Sequence, residues 1–404
     1  MAMNAIMWMW LAVAAGLAGY WAAWRKCGEV GRRRLDWLLT WGAWLAVGAV
    51  SLASVMTHEP WRDELHTWLV TRDLTLGQMW HEMRWEGHVL LWQLVLHPFA
   101  RWGAPVWTLG AVSWIINWAT LWFFAKKAPF GAAEKAVAMA TVPFLYLNPA
   151  ISRCYVLVPP LLFGLAALWD ERDRWPLLFG GLVALLANTH LYMEGTAGLV
   201  FLVYAWENVF RRKDGKSWRE SGRHLAGLGL MAAGMLAAVA QVAPTLWDPS
   251  RGWGWHCGWK TDLAAFLDMV PTSGLKAVVL AGVGWAGWAA WKRDKGVFWV
   301  FAGSLAYMAG FSVFLYSANV ANRAVLWYVL FLFALWALGE KAGPKWRTAA
   351  MLAVGVAMMR PDWTVADWKG DFDPMPVACR WIAQTIDALM KLELPSGVDV
   401  EIKV

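Results

Sequence analysis

Apolar residues in this chain come in blocks of bilayer-spanning length, broken by short polar connections, from one end to the other. The blocks fall at about 3–24, 36–56, 104–125, 136–149, 154–169, 176–193, 196–210, 225–247, 276–291, 297–316, 324–339 and 348–359, with a shorter one at 88–100. A helix needs about 20 apolar residues to cross the hydrocarbon layer, so the pattern predicts an all-α polytopic membrane protein with about twelve transmembrane helices.

The polar connections assign the sides. The strongest basic groups are Arg25, Lys26, Arg32, Arg33 and Arg34, and the run Arg211, Arg212, Lys213, Lys216, Arg219 and Arg223, which the positive-inside rule puts in the cytoplasm. The N-terminus and the loop starting at Thr57 then lie outside. Basic connections at 126–135, 211–224, 292–295 and 340–347 all land inside only if one segment between 88 and 149 fails to span. Residues 88–100 would reach only about 20 Å as a helix against a core of about 30 Å, and 136–149 is nearly as short. One of the two is therefore expected to be re-entrant or half-membrane. With that correction the inner connections hold 22 of the 36 Lys and Arg, a bias that fixes the orientation. Residues 1–360 read as one transmembrane domain with outer loops at about 57–87 and 248–275, and 361–404 as a short non-cytoplasmic tail. No repeat or low-complexity linker interrupts them.

Composition narrows the classes. With 59% apolar and only 16% charged residues there is no room for a large soluble domain. The formal charge of +7 sits in clusters between apolar blocks, not along one polar face, so it signals topology and no nucleic-acid partner is expected. Cys27, Cys154, Cys257 and Cys379 have no metal-ligand or disulfide spacing. Residues 1–24 lack a basic leader and a small-residue cleavage pattern, which predicts a retained anchor. The 35 Trp exceed what interfacial belts require.

Candidate chemistry gathers in the first outer loop, from Thr57 to His88, which holds four of the eight histidines. Trp61, Leu65, Trp68 and Leu69 recur at helical spacing behind Pro60, predicting a short amphipathic helix on the membrane surface with Asp63 and Glu64 in its first turn. A carboxylate there could take a proton from an acceptor hydroxyl; acids in a first turn also simply favour the helix dipole. Asp63 and His66, with Glu59 one turn earlier, share a face that could ligate a divalent ion, although solvated surface residues give the same pattern. His88 opens an apolar segment as an interfacial or a phosphate-binding histidine. Polar insertions interrupt the apolar blocks at Ser152-Arg153-Cys154-Tyr155, at Asn188-Thr189-His190 with Glu194, and at Asn319 with Asn322-Arg323. Ionisable groups at membrane depth are costly and mark sites or water-filled cavities, unless they snorkel to the headgroups. All three insertions are expected level with the acidic loop. In 248–275, Trp255 and Lys260 offer a sugar-stacking plane beside a polar group, or an interfacial anchor.

The string Trp61-Arg62-Asp63-Glu64, then Arg72-Asp73, then Arg84-Trp85-Glu86-Gly87-His88 with Trp92, resembles the first outer loop of GT-C type glycosyltransferases. It is most similar to the bacterial relatives of protein mannosyltransferases and of the enzymes that transfer aminoarabinose to lipid A. Arg153-Tyr155, Asn188-Thr189-His190, the loop after Gln241 and Pro244, and Arg323 with Trp336 follow in the same order, so that the resemblance covers about 36–340. The family's Gly-His-Pro stands here as Gly87-His88-Val89, and its late Arg-His-x-Gly as Arg323-Ala324-Val325-Leu326. The resemblance implies a GT-C fold and inverting transfer of a sugar from a polyprenyl-phosphate donor to a hydroxyl on a lipid, glycan or protein, at the outer face of a bacterial inner membrane. It implies Asp63 as the base and Glu64 as an orienting group. Arg323, His88 and Arg153 would then bind the donor phosphate, Glu86, His190, Trp255 and Lys260 the acceptor or sugar, with no cofactor and no metal. A transporter or flippase of lipid-linked sugars, or a non-catalytic accessory protein, are the competing readings; the first predicts inverted repeats, which the sequence lacks.

Overall fold

The computed structural model describes residues 2–60, 62–86, 89–210, 218–246, 262–314 and 321–360. The expectations placed on the tail 361–404 and on loop residues 248–261 lie outside the described residues. Every regular element among those described is helical, as hydrocarbon demands of a backbone that must satisfy its own hydrogen bonds. A hairpin of α1 (Ala2–Lys26) and α2 (Glu29–Thr57) leads over Pro60 into two loop helices, α3 (Arg62–Asp73) and α4 (Leu76–Glu86), and then α5 (Leu91–Arg101). After these come α6 (Thr108–Lys127), α7 (Ala132–Met139), α8 (Val158–Leu168), α9 (Pro176–Ala187), α10 (Leu191–Ala205) and α11 (Trp218–Leu246). The chain ends with α12 (Asp262–Asp268), α13 (Ser273–Arg293), α14 (Lys295–Phe314), α15 (Ala321–Leu338) and α16 (Pro344–Ala357).

Six helical segments among the described residues are long and apolar enough to cross a membrane: Glu29–Thr57, Thr108–Lys127, Cys154–Glu171, Ser221–Ala243, Lys295–Phe314 and Val325–Ala342. The protein is thus a polytopic, membrane-embedded helical bundle. Its large exposed apolar residues, among them Leu45, Leu52, Ile115, Leu202 and Leu236, are the surface such a bundle turns to lipid. One end of the bundle carries α3 to α5 and is called here the loop end; the other carries the Lys- and Arg-rich connections and is called the basic end.

The two short segments behave differently. α5 is capped at its start by Leu90, whose N–H donates to Gln241 Oε1 near the end of α11 at 2.9 Å. It finishes beside α3, where His97 Nδ1 lies 2.9 Å from the Thr71 carbonyl and Arg101 donates to the Arg72 carbonyl at 3.3 Å. Both its ends are therefore at the loop end. Segment 136–149 instead leaves the basic end, where Lys135 donates to the Ala125 carbonyl at 2.7 Å, and continues through a π-helical turn, Pro143–Leu147, to Ser152 at the loop end.

Three local readings change. The break expected near residue 194 falls at 188–190, because Asn188 caps the end of α9 and the His190 side chain caps the start of α10 by accepting from Tyr192 N–H at 3.1 Å. The insertion at 188–190 consequently occupies a turn between helices, and that at 152–155 runs from a turn, Ser152-Arg153, into the 3-10 turn Cys154–Leu157 that opens α8. Of the expected Trp61-Leu65-Trp68-Leu69 face of α3, Trp61 lies outside the described residues, Trp68 is buried, Leu65 is half-buried and Leu69 is exposed. The buried stripe of α3 is Glu64, Thr67, Trp68 and Thr71, with Val70 buried beside it. The two threonine hydroxyls in that stripe bond backward to carbonyls of their own helix, Thr67 to Asp63 and Thr71 to Thr67 and Trp68, so burying them strands no donor.

The core is built around α15, whose residues from Val325 to Leu338 are buried on every side. A helix apolar all round has no solvent face to keep. Elsewhere small residues bring helices together: a side chain at Gly180 would meet the Gly227 carbonyl 2.5 Å away, so α9 and α11 touch backbone to backbone. Part of the Trp excess has a physical role here. Trp44 and Trp114 stack on either side of Trp118, at 4.5 and 4.9 Å between ring centres, and tie α2 to α6 through Trp44 Nε1 to the Trp118 carbonyl and Trp114 Nε1 to the Gly48 carbonyl.

Candidate active site

At the start of α3 two adjacent carboxylates part ways. Glu64 is 1% exposed and accepts two hydrogen bonds, from Ser152 N–H at 2.6 Å and at 3.0 Å from His58 Nε2. It therefore pins the loop helix to the turn that precedes α8, 88 positions along the chain. Asp63 keeps a side chain 33% exposed and is flanked by Arg153 Nη1 and by Arg62 Nη2, each at 3.3 Å. Of the acidic pair, only Asp63 presents oxygen to an incoming group.

The second part of the cluster centres on Tyr155, one turn past Ser152. Its hydroxyl accepts from Arg323 Nε at 3.1 Å and lies 3.4 Å from His190 Nε2. Arg323, at the start of α15, is almost fully buried, and Arg153 is too. His190 stands in the turn before α10 with its ring 5.1 Å from that of Tyr155. Burial, with the Arg323 and Arg153 charges nearby, holds its pKa well below the usual histidine value, so the imidazole is neutral at pH 7. Its Nδ1 accepts from Tyr192 N–H, and the proton of the neutral ring consequently sits on Nε2, pointing at Tyr155.

The structure thus brings Asp63, Glu64, Arg153, His190 and Arg323 to one place, from α3, two inter-helix turns and α15. Other expected residues do not join. Asn188 donates to the Ala184 and Gly234 carbonyls at 2.8 and 2.9 Å, and Thr189 to the Leu186 carbonyl at 2.7 Å; both close helix ends. Glu194 lies one turn inside α10, with Oε2 enclosed and without a hydrogen-bond partner among the described residues. His88, Trp255 and Lys260 lie outside the described residues, as does the side chain of Glu86 at the end of α4. No group of three His, Cys, Asp or Glu with metal-binding spacing occurs among the described residues, so the Glu59, Asp63 and His66 face does not form one. The sequence reading missed His58 as the partner of Glu64 and did not rank Tyr155 among the site residues. The only signal for Tyr155 was its place two residues after Arg153 in the same polar insertion.

Comparison of the chain with family models, with curated proteins and with solved structures finds no match.

Proposed function

We propose that the chain is a membrane glycosyltransferase of the GT-C type, with twelve crossings and the loop end at the outer face of a bacterial inner membrane. It would move a sugar from a polyprenyl-phosphate donor to a hydroxyl on a lipid, glycan or protein. The observation that carries the reading is the division of labour at the start of α3: Glu64 is consumed in holding the helix, while Asp63 stays partly exposed beside the buried cation Arg153, with a second buried cation, Arg323, on the nearby Tyr155.

In this reading Asp63 takes the proton of the acceptor hydroxyl as its oxygen attacks the anomeric carbon from the face opposite the donor phosphate. The carbon–oxygen bond to phosphate breaks, its electron pair leaves on the phosphate, and the configuration inverts. A fixed guanidinium suits the leaving side, because negative charge grows there as the bond breaks and a buried cation meets it without reorganising. Arg323 takes that role, with His88 as its expected companion. Arg153 holds Asp63 in place until the acceptor arrives. Arginine supplies the countercharge, so the reading calls for no resident metal, and transfer should survive chelation by EDTA. The outer position of the loop end is tested by labelling single cysteines introduced at Thr57 and at Lys345: an impermeant maleimide added from outside should reach the first and spare the second.

The reaction itself is tested in proteoliposomes supplied with a polyprenyl-phosphate sugar. Asp63→Asn keeps the size of the side chain and most of its hydrogen bonding but cannot accept the proton. Transfer should fall by about 10² to 10⁴-fold with the melting temperature unchanged. A parent that transfers alongside an Asp63→Asn variant of equal rate would make this loop a binding surface and not a catalytic one.

A further inference from the structure

A phenol hydroxyl has one proton to donate and two lone pairs that accept. At Tyr155 both accepting positions are spoken for. Arg323 Nε–H fills one at 3.1 Å, and a guanidinium nitrogen only donates. The other faces His190 Nε2 at 3.4 Å, and that nitrogen carries the ring proton because Nδ1 is already accepting from the Tyr192 backbone. The Tyr155 proton therefore points to neither described partner. It belongs to a buried side chain that holds Arg323 by its hydroxyl and stands two positions from Arg153, which itself pairs with the Asp63 carboxylate at 3.3 Å.

We propose that Tyr155 is an oxyanion-binding residue, its O–H aimed by Arg323 and His190 at a phosphate oxygen of the ligand, and that His190 is a positioning residue acting only through Tyr155. This rests on the phosphate-donor reading above and deepens it. Arg323 supplies charge, Tyr155 a directed neutral donor, and His190 the orientation. Three positive groups around one phosphate would hold the product lipid as tightly as the substrate; a neutral phenol adds a hydrogen bond without adding charge. His190, which the resemblance placed on the sugar or acceptor, moves to the phosphate side.

The test uses the full-length protein in detergent and three probes: farnesyl phosphate, farnesol and inorganic phosphate, with binding measured by calorimetry. Tyr155→Phe removes one oxygen and should weaken farnesyl phosphate by about tenfold or more, the loss expected for a hydrogen bond to a charged group. Farnesol binding should not change. Inorganic phosphate competing at the same site would show recognition of the free anion; phosphate failing to compete while farnesyl phosphate binds would assign the site to the lipid-borne group. His190→Gln should weaken farnesyl phosphate in the parent and cost nothing further in the Tyr155→Phe background, since its effect passes through the hydroxyl. Additive losses would overturn the positioning role, and unchanged affinity in a folded Tyr155→Phe would overturn the oxyanion role. Should Tyr155→Phe fail to fold, the bound farnesyl phosphate ³¹P resonance in the His190→Gln variant decides instead: an unmoved resonance sinks the proposal. Arg323→Ala separates the two levels, because its loss of binding beside a silent Tyr155→Phe rejects only the tyrosine, whereas intact binding in Arg323→Ala rejects the phosphate reading itself.

Discussion

The two ends of the bundle both bury charge, and they close it differently. At the basic end, carboxylates are matched to cations across helices. Arg172 meets Glu207 at 2.7 Å, Lys341 bridges Asp170 at 2.7 Å and Asp294 at 3.7 Å, and Arg347 stands 3.9 Å from Glu134 while its guanidinium covers the Phe130 ring. Glu134 is closed further by Thr348 Oγ1 at 2.7 Å and by the Gly131 N–H. At the loop end Glu64 is closed in the same manner, yet its neighbour Asp63 is a third exposed and Arg323 leans on a phenol. Charges that fasten helices at the basic end meet fixed partners, with Arg347 Nε making an ion pair and no hydrogen bond among the described residues. The Asp63 carboxylate, by contrast, keeps part of its surface exposed beside Arg153.

If that contrast is right, substitutions at the two ends should separate rate from stability. Asp63→Asn carries the largest effect, the loss of about 10² to 10⁴-fold in transfer described above, and should leave the melting temperature alone. Next comes Glu134→Ala, which strands Arg347 at a buried position and should cost about 3 to 5 kcal/mol of stability in detergent unfolding, with the rate of the folded fraction unchanged. Glu64→Gln tests the middle ground. It can still accept from Ser152 but loses the charge facing His58, so unfolding should ease by about 1 to 3 kcal/mol, and transfer should fall far less than with Asp63→Asn. A Glu64→Gln variant as slow as Asp63→Asn would erase the distinction between the pair. The smallest change is expected for Lys341→Met: its half-exposed bridge should be worth no more than about 1 kcal/mol in the same unfolding measurement.

Much of the architecture is legible in the chain because hydrocarbon leaves so few options. Apolar blocks had to be helices, and polar insertions at 152–155 and near 323 had to find one another or water. The remainder depends on contacts between distant segments. Blocks 88–100 and 136–149 are both short for a crossing; the second runs on through a π-helical turn, Pro143–Leu147, to Ser152 at the loop end, and hydrogen bonds from His97 and Arg101 hold the first beside α3. The 176–210 region reads as two apolar blocks parted at Glu194, yet the cap made by His190 decides where the chain turns. In α3 apolar spacing gave no sign that Glu64 is buried, where it accepts from the backbone N–H of Ser152. No local pattern announces a backbone partner 88 residues away. His58 was invisible for the same reason: its importance lies in what Glu64 needs, and histidines in a polar loop carry no mark of it.

The enclosure of α15 bears on how the molecule is made. The helices packed around it, α8, α12, α13 and α14, all precede it in the chain. A ribosome therefore delivers the central helix after its neighbours, and a helix whose surface is apolar throughout can wait in lipid before it is enclosed. Arg323 arrives with it. A nascent chain lacking α15 already holds the partners of the Asp63–Arg153 and Glu64–Ser152 contacts, but not the cation that leans on Tyr155. The contact between Arg323 and Tyr155 is thus the last of these to form, after the segments that carry Asp63, Glu64 and Arg153 have been made.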